Sequence, residues 1–409
     1  MRKFNFLWAV ALGATLTFTS CEKNENEETG LTASQTAFLT GYAEGVIEAR
    51  YSELATNGRA LLKAAEAIEA SSDADKTTLI AAACTAWETA RISWERTEAY
   101  LFGPVDKAGI DPGIDSWPLS LPDLQAKIQN WDDSNNDLAA DGGDLKGFHA
   151  IEYIIFADGS AKSPSVTVFD AEYALDQGSL SDEDFEDKLE SYLVAVCNEL
   201  YRCVLQLEAE WNLADLSGDK LTDYNAFGTA ITLNTAAGDY GDIFMAPGLD
   251  NAYYSSFNAC VSEALDGAIG IADEVANVKI SDPINAEVDS PGTGLLEVES
   301  WFSHNSISDF TNNVRGIKEA FFGELCTSES SFDTDTTPAS NSLADLLAQV
   351  DATAASEAIA AMNEAIAAVK AMDAPFRDNL SWSSTNTAAK EAVAAVQEVL
   401  ENAKTILLQ

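Results

Sequence analysis

Gly147-Phe148-His149-Ala150-Ile151-Glu152-Tyr153-Ile154-Ile155-Phe156 is an apolar run of helical length with a histidine three residues before a carboxylate. Residues at i and i+3 share a helix face, with Cβ atoms about 5–6 Å apart. His149 and Glu152 can therefore converge on one ion or ligand, while Phe148, Ile151, Ile154 and Ile155 bury the helix that carries them. An imidazole paired with a carboxylate at the edge of a core is the first sign of a site.

The helical reading extends outward in both directions. Phe38, Tyr42, Val46, Tyr51 and Leu54 recur near the helical period, as do Leu61, Leu62, Ala65 and Ile68. A second helix, capped by Asp73 or Asp75, runs through Trp87 and Trp94 to about Phe102. The stretch 103–143 is rich in proline and glycine and reads as a long irregular connection before the helix at about 145–156. Ser181 and Asp184 resemble a capping box opening a helix with Phe185, Leu189, Leu193, Val196, Leu200, Val204 and Leu207 on one side. Helices are expected at about 219–236, 251–277 and within 295–322. A mobile polar tract (327–342) and two Ala-rich helices, about 342–372 and 384–406, follow. The longest strand signal is Ser165–Phe169. The chain is thus read as all-α.

Arg2 and Lys3, an apolar run to Phe18, and Thr19-Ser20-Cys21 form a secretory leader layout. The run is shorter than the roughly 20 residues of a membrane-spanning helix. Cys21 after small residues resembles a bacterial lipobox, in which it becomes the acylated first residue. The expectation is a signal peptide at 1–20 and an acidic tether at 21–32, with domains at 33–215 and 219–409. The protein is then lipid-anchored in the cell envelope, in the periplasm or on the outer-membrane surface, and touches membrane only through its anchor.

The net charge of −44 argues against nucleic acid, which needs basic patches, and against a peripheral grip on anionic lipid. Cys84, Cys197, Cys203, Cys260 and Cys326 form no CxxC pair, so they support neither a zinc knuckle nor a thioredoxin-type site. HExxH is absent, and HxxEH fails because Tyr153 stands where its second histidine belongs. A His-His-Glu zinc site would consume both histidines, His149 and His304. Oxygen donors are far more plentiful, which suits hard cations, ferric iron included, better than zinc.

Two further segments carry chemistry. In Trp87-Glu88-Thr89-Ala90-Arg91-Ile92-Ser93-Trp94-Glu95-Arg96-Thr97-Glu98, the residues Trp87, Arg91, Trp94, Glu95 and Glu98 share one helix face. The plain alternative is core tryptophans with a surface Arg91–Glu95 pair. In Trp301-Phe302-Ser303-His304-Asn305-Ser306-Ile307-Ser308-Asp309-Phe310, polar groups stand beside aromatics. The plain alternative there is helix capping by Ser306 or Ser308, with His304 exposed.

Taken together, GxHxxE followed by Tyr-Ile-Ile-Phe, the Trp-x-x-Ala-Arg-x-x-Trp-Glu-x-x-Glu helix and the Ser-His-Asn-Ser-x-x-Asp-Phe-x-x-Asn segment resemble the imelysin family. These are exported bacterial proteins classed as peptidases and linked to iron uptake, and the resemblance covers most of the chain after about residue 32. It implies two tandem helical-bundle domains with a site in the cleft between them. It carries Gly147, His149, Glu152, Trp87, Arg91, Glu95, Glu98, Ser303 and Asp309 into that site, with Trp117 as a loop tryptophan. The expected metal-binding set is His149, Glu152, Glu95, Glu98 and Asp309. Arg91, Trp117, Ser303 and His304 are expected to contact ligand. Iron, or a small iron-bearing ligand, is the expected cargo, with iron-uptake proteins as partners. Two alternatives stay open: a metallopeptidase using the same residues, and a surface interaction lipoprotein in which HxxE is structural.

Overall fold

The computed structural model describes residues 30–71, 73–132, 138–162, 178–233, 238–248 and 250–409. The leader, Cys21 and the strand signal at 165–169 lie outside them. The first helices are α1 (Ala33–Tyr42), α2 (Ala49–Glu69) and α3 (Asp73–Glu95), and a π-helical turn at Ala43–Glu48 joins α1 to α2. Thr32 opens α1 through a capping box with Gln35. The connection that follows holds the short helices α4 (Pro104–Lys107) and α5 (Leu121–Gln129), then α6 (Gly147–Ile155), the motif helix. A two-residue hairpin, β1 (Phe156–Ala157) with β2 (Ser160–Ala161), is the only sheet among the described residues.

The remaining helices are α7 (Asp182–Asn212), α8 (Gly218–Phe227), α9 (Tyr240–Met245), α10 (Phe257–Glu274), α11 (Ser281–Asp289), α12 (Ser306–Phe322), α13 (Glu329–Phe332), α14 (Leu343–Val350), α15 (Ala352–Lys370) and α16 (Ser384–Leu407). Ser181 caps α7 by accepting from the Asp184 amide, as its sequence predicts. Helix α8 is shorter than expected because Gly228 takes the left-handed conformation (φ +65°) that ends helices. The C-terminal Ala-rich run is broken at Asp351, whose side chain caps α15 through the amides of Thr353 and Ala354. The polar tract 327–342 is pinned rather than mobile. Phe332 is buried, and Asp333 pairs with Arg315 (2.8 Å) and Lys370 (2.8 Å). No helix among the described residues is long and apolar enough to cross a membrane. The five cysteines 84, 197, 203, 260 and 326 are all free and buried, the behaviour of small hydrophobes.

Helix α2 packs on α3 and α7, and α6 lies against both α3 and α7. Later in the chain, α16 packs on α15 and α10, and α12 on α15 and α10. Helices α8 and α9 also pack on α7.

The two sets of helices meet where the end of α3 crosses α12. Arg50 grips the Glu319 carboxylate with two nitrogens (2.6 and 3.2 Å), and Arg96 donates to Asn312 (2.9 Å). A Cβ on Gly316 would collide with the Arg96 carbonyl oxygen, so this glycine permits the close crossing. Gly316→Ala should cost about 1–3 kcal/mol. Urea unfolding would show it as a lower midpoint with an unchanged slope.

Candidate functional site

At this crossing the chain buries charge. Helix α3 supplies Arg91 and Glu95, which pair at i,i+4 (2.5 Å) with both side chains fully buried. The plain reading of this pair as a surface salt bridge fails, while Trp87 and Trp94 do fill core positions. The turn after α3 adds Glu98, and α6 adds His149 and Glu152, neither of them exposed. Trp87 steers α6 by donating its indole N–H to the Phe148 carbonyl (2.9 Å). From the second half come Lys279, Ser300, Ser303, Asp309 and Asn313, all buried.

The contacts form one network. His149 Nδ1 lies 3.1 Å from Glu152 Oε2, so the i, i+3 pair predicted from the sequence is made. Glu152 Oε1 accepts from the Ser303 amide (2.8 Å) and hydroxyl (2.7 Å). Those bonds tie the motif helix to the second half of the chain. Arg91 meets three carboxylates: Glu95, Asp115 and, more loosely, Asp309 (3.4 Å). Asp309 also accepts from Ser300 (2.6 Å) and Asn305 (2.6 Å). Asn313 bridges Glu95 (2.6 Å) and Glu98, and Lys279 contacts Glu98 (3.1 Å) and Glu299 (3.1 Å). Trp117 sets its ring edge-on to the imidazole, 4.8 Å between centroids.

Eight of the nine sequence-predicted residues therefore converge. The exception is His304, which turns away to the hairpin, with Nε2 3.5 Å from Asp158 in a partly exposed contact and a left-handed backbone (φ +61°). A zinc site using both histidines is not assembled. Neither Ser306 nor Ser308 caps α12; its N-cap is Asn305, which makes no side-chain cap bond. Asp115, Lys279 and Ser300 were not anticipated, and Asn313, which closes the Ser-His-Asn-Ser-x-x-Asp-Phe-x-x-Asn segment, was assigned no role from sequence. Asp115 adjoins the quoted Trp117, and Lys279 is a lone cation in an acid-rich stretch, but neither position alone points to a site.

Five carboxyl groups with buried side chains (Glu95, Glu98, Asp115, Glu152, Asp309) and the partly buried Glu299 face two permanent cations and one imidazole. Burying such groups favours their neutral forms unless partners compensate. Burial and the neighbouring Glu95 push Asp309 up to about 8, against the pull of Arg91. Burial and Glu95 likewise hold Glu98 well above the carboxylate range, although Lys279 opposes them. Burial would raise Asp115 too, but Arg91 and His149 outweigh it and depress its carboxyl. Burial pulls His149 down, yet contacts with Asp115 and Glu152 dominate and hold it at about 9. Among the described residues no three His, Cys, Asp or Glu side chains stand together as a ready coordination shell. Guanidinium, ammonium and amide groups are interleaved with the carboxylates. Two buried polar atoms of the cluster, Trp117 Nε1 and Asn313 Oδ1, have neither a hydrogen-bond nor an ion-pair partner. Such groups ordinarily meet water or a ligand.

A family model described as imelysin matches residues 47–404. The chain belongs to the imelysin family. Iron-regulated protein A of Synechococcus elongatus is 26% identical over 408 residues, covering 98% of this chain and 94% of that protein. A crystal structure from Parabacteroides distasonis, described as an iron-regulated protein A precursor, superposes with a TM-score of 0.74 at 27% identity. That match covers 91% of this chain and 95% of the other. An imelysin-like protein from Psychrobacter arcticum shares the fold, with a TM-score of 0.60 at 12% identity over 92% of this chain and 95% of that one.

Proposed function

We propose that this imelysin-family chain acts in iron uptake as an envelope lipoprotein, anchored through Cys21. It binds iron, or a small ligand carrying iron, at the buried cluster around His149 and Glu152. The observation that carries the reading is the concentration of buried carboxyl groups, assembled from both halves of the chain. A buried cluster of hard oxygen donors with a single imidazole suits a hard cation, which would displace the protons held by Asp309, Glu98 and His149 as it binds. The name of the Synechococcus relative, iron-regulated protein A, supports iron over other cations. Because the donors are already paired, binding exchanges ion pairs within the cluster rather than filling a preformed shell.

The metallopeptidase reading has less support. Both Glu152 oxygens are engaged, by His149 and by Ser303, and both imidazole nitrogens face carboxylates. An exchange of ion pairs would free them for a metal, but neither would then remain as the separate general base that hydrolysis requires.

Equilibrium dialysis of untagged protein against ferrous ion, ferric nitrilotriacetate and zinc, with His149→Gln and Glu152→Gln in parallel, tests the proposal. The expected result is about one iron per chain, bound more tightly than zinc and weakened at least tenfold in both variants. Iron bound equally by wild type and variants, or by none of them, would remove the reading.

A further inference from the structure

The His149 imidazole has two edges, and the GxHxxE motif accounts for only one. Glu152 reaches Nδ1 from the next turn of the same helix, so it holds the ring from the α6 side. The other edge faces Asp115, whose Oδ1 lies 3.1 Å from Nε2. Asp115 arrives on the irregular 111–117 segment and is itself held on two further sides. It accepts from Arg91 Nη1 and from Trp94 Nε1 (2.5 Å), and its side chain is 4% exposed.

The backbone explains how Asp115 gets there. The Phe148 amide donates to the Ile114 carbonyl (2.8 Å), zipping the segment onto the first turn of the motif helix. Gly147 stands at φ +77°, and a Cβ on it would collide with that same Ile114 carbonyl. Both constraints call for glycine. The glycine of the motif therefore clears the path for the strip of chain that carries Asp115. Two residues further on, the strip delivers Trp117 to the edge of the His149 ring.

We propose that Asp115 is the positioning residue of this site, with Gly147 as its clearance. It fixes the His149 ring from the side that Glu152 cannot reach and seats Trp117 against it, so that a ligand meets an immobile imidazole. Partners that hold a ligating histidine from behind set ring orientation, and their loss weakens metal binding about 10–100-fold. Asp115 would hold Nε2 in this way while Nδ1 and Glu152 give up their mutual contact to take the ion. The consequence for iron rests on the function proposed above; the consequence for ring geometry does not.

The test uses the full chain, which holds only two histidines. Ring ¹H–¹³C cross-peaks of His149 and His304, assigned with His304→Gln, are compared in wild type, Asp115→Asn and Gly147→Ala. Asparagine keeps the volume and an acceptor for Trp94 while removing the charge. Alanine at 147 displaces the Ile114–Asp115 backbone without touching a polar side chain, and it carries the test should Asp115→Asn not fold. In the wild type, the ring current of Trp117 should shift the His149 signals. Both variants should return them toward random-coil positions while the His304 signals stay in place. Ferrous ion, added without oxygen, should then bind about tenfold more weakly. His149 signals unmoved in a folded variant would overturn the proposal, as would full iron affinity in a variant whose His149 signals have moved. A wild type that binds no iron would sink the proposed function, and the ring signals would still decide the role of Asp115.

Discussion

Arg91→Ala is expected to destabilise the protein by about 3–5 kcal/mol, the cost of leaving buried carboxylates without their counter-charge. Arg91 is fully buried and faces Glu95, Asp115 and Asp309 at once. Its loss leaves Lys279 as the only permanent cation in the cluster. The deficit should shrink at pH 5 relative to pH 8, because protons then neutralise carboxylates that the guanidinium no longer serves. Arg91→Lys should recover little, since a single ammonium cannot address three carboxylates lying in different directions. Urea unfolding at the two pH values measures all three effects. A loss below about 1 kcal/mol would mean that the cluster behaves like a surface network.

The second large effect is an acid-shifted stability optimum. Asp309 is pushed up to about 8, and Asp111 and Glu48 to about 7, in each case mainly by burial. A carboxyl raised in the folded state binds protons more tightly there than in the unfolded chain. Its contribution is complete below the unfolded value and is lost as pH rises through the folded value. Stability should therefore fall from about pH 5 to pH 8, and self-repulsion in so acidic a chain acts in the same direction. Three groups oppose this, two of them below that window and one from its upper end. The depressed Asp115 and Asp333 carboxyls lose their contribution below about pH 4. Lys162, lowered to about 7 by burial, adds stability as pH rises above that value.

Glu48 separates the local effect from net charge. It lies away from the His149 cluster and accepts from Asn212 (2.9 Å). Glu48→Gln mimics its protonated form, so it should raise the melting midpoint by about 2–4 °C at pH 8 and barely change it at pH 5. Equal gains at both pH values would assign the trend to surface charge alone.

The helices were legible because their apolar residues repeat at the helical period, and the His149–Glu152 contact followed from spacing within one helix. Arg91 and Glu95 were legible as a pair for the same reason. Their burial was not, because it depends on α12 and the 111–117 segment covering them from distant parts of the chain. Asp115 and Lys279 share no spacing with any predicted site residue, and Asn313, one helical turn beyond Asp309, meets the motif helix only in three dimensions. Polar composition also misled at 327–342, where Lys318 donates to the Phe332 carbonyl and Arg315 holds Asp333. Composition cannot distinguish a solvated polar side chain from one satisfied inside the fold. His304 shares a segment with Ser303, yet its left-handed backbone swings it to the hairpin side.

Locating iron by anomalous scattering, in crystals grown with ferrous ion under anaerobic conditions, tests the central claim most directly. One iron peak within bonding reach of His149 or of the carboxylates around Arg91, absent in His149→Gln crystals, is the predicted result. Iron found only on the acidic surface, with the His149 cluster unchanged, would contradict the account and leave HxxE as a structural pairing.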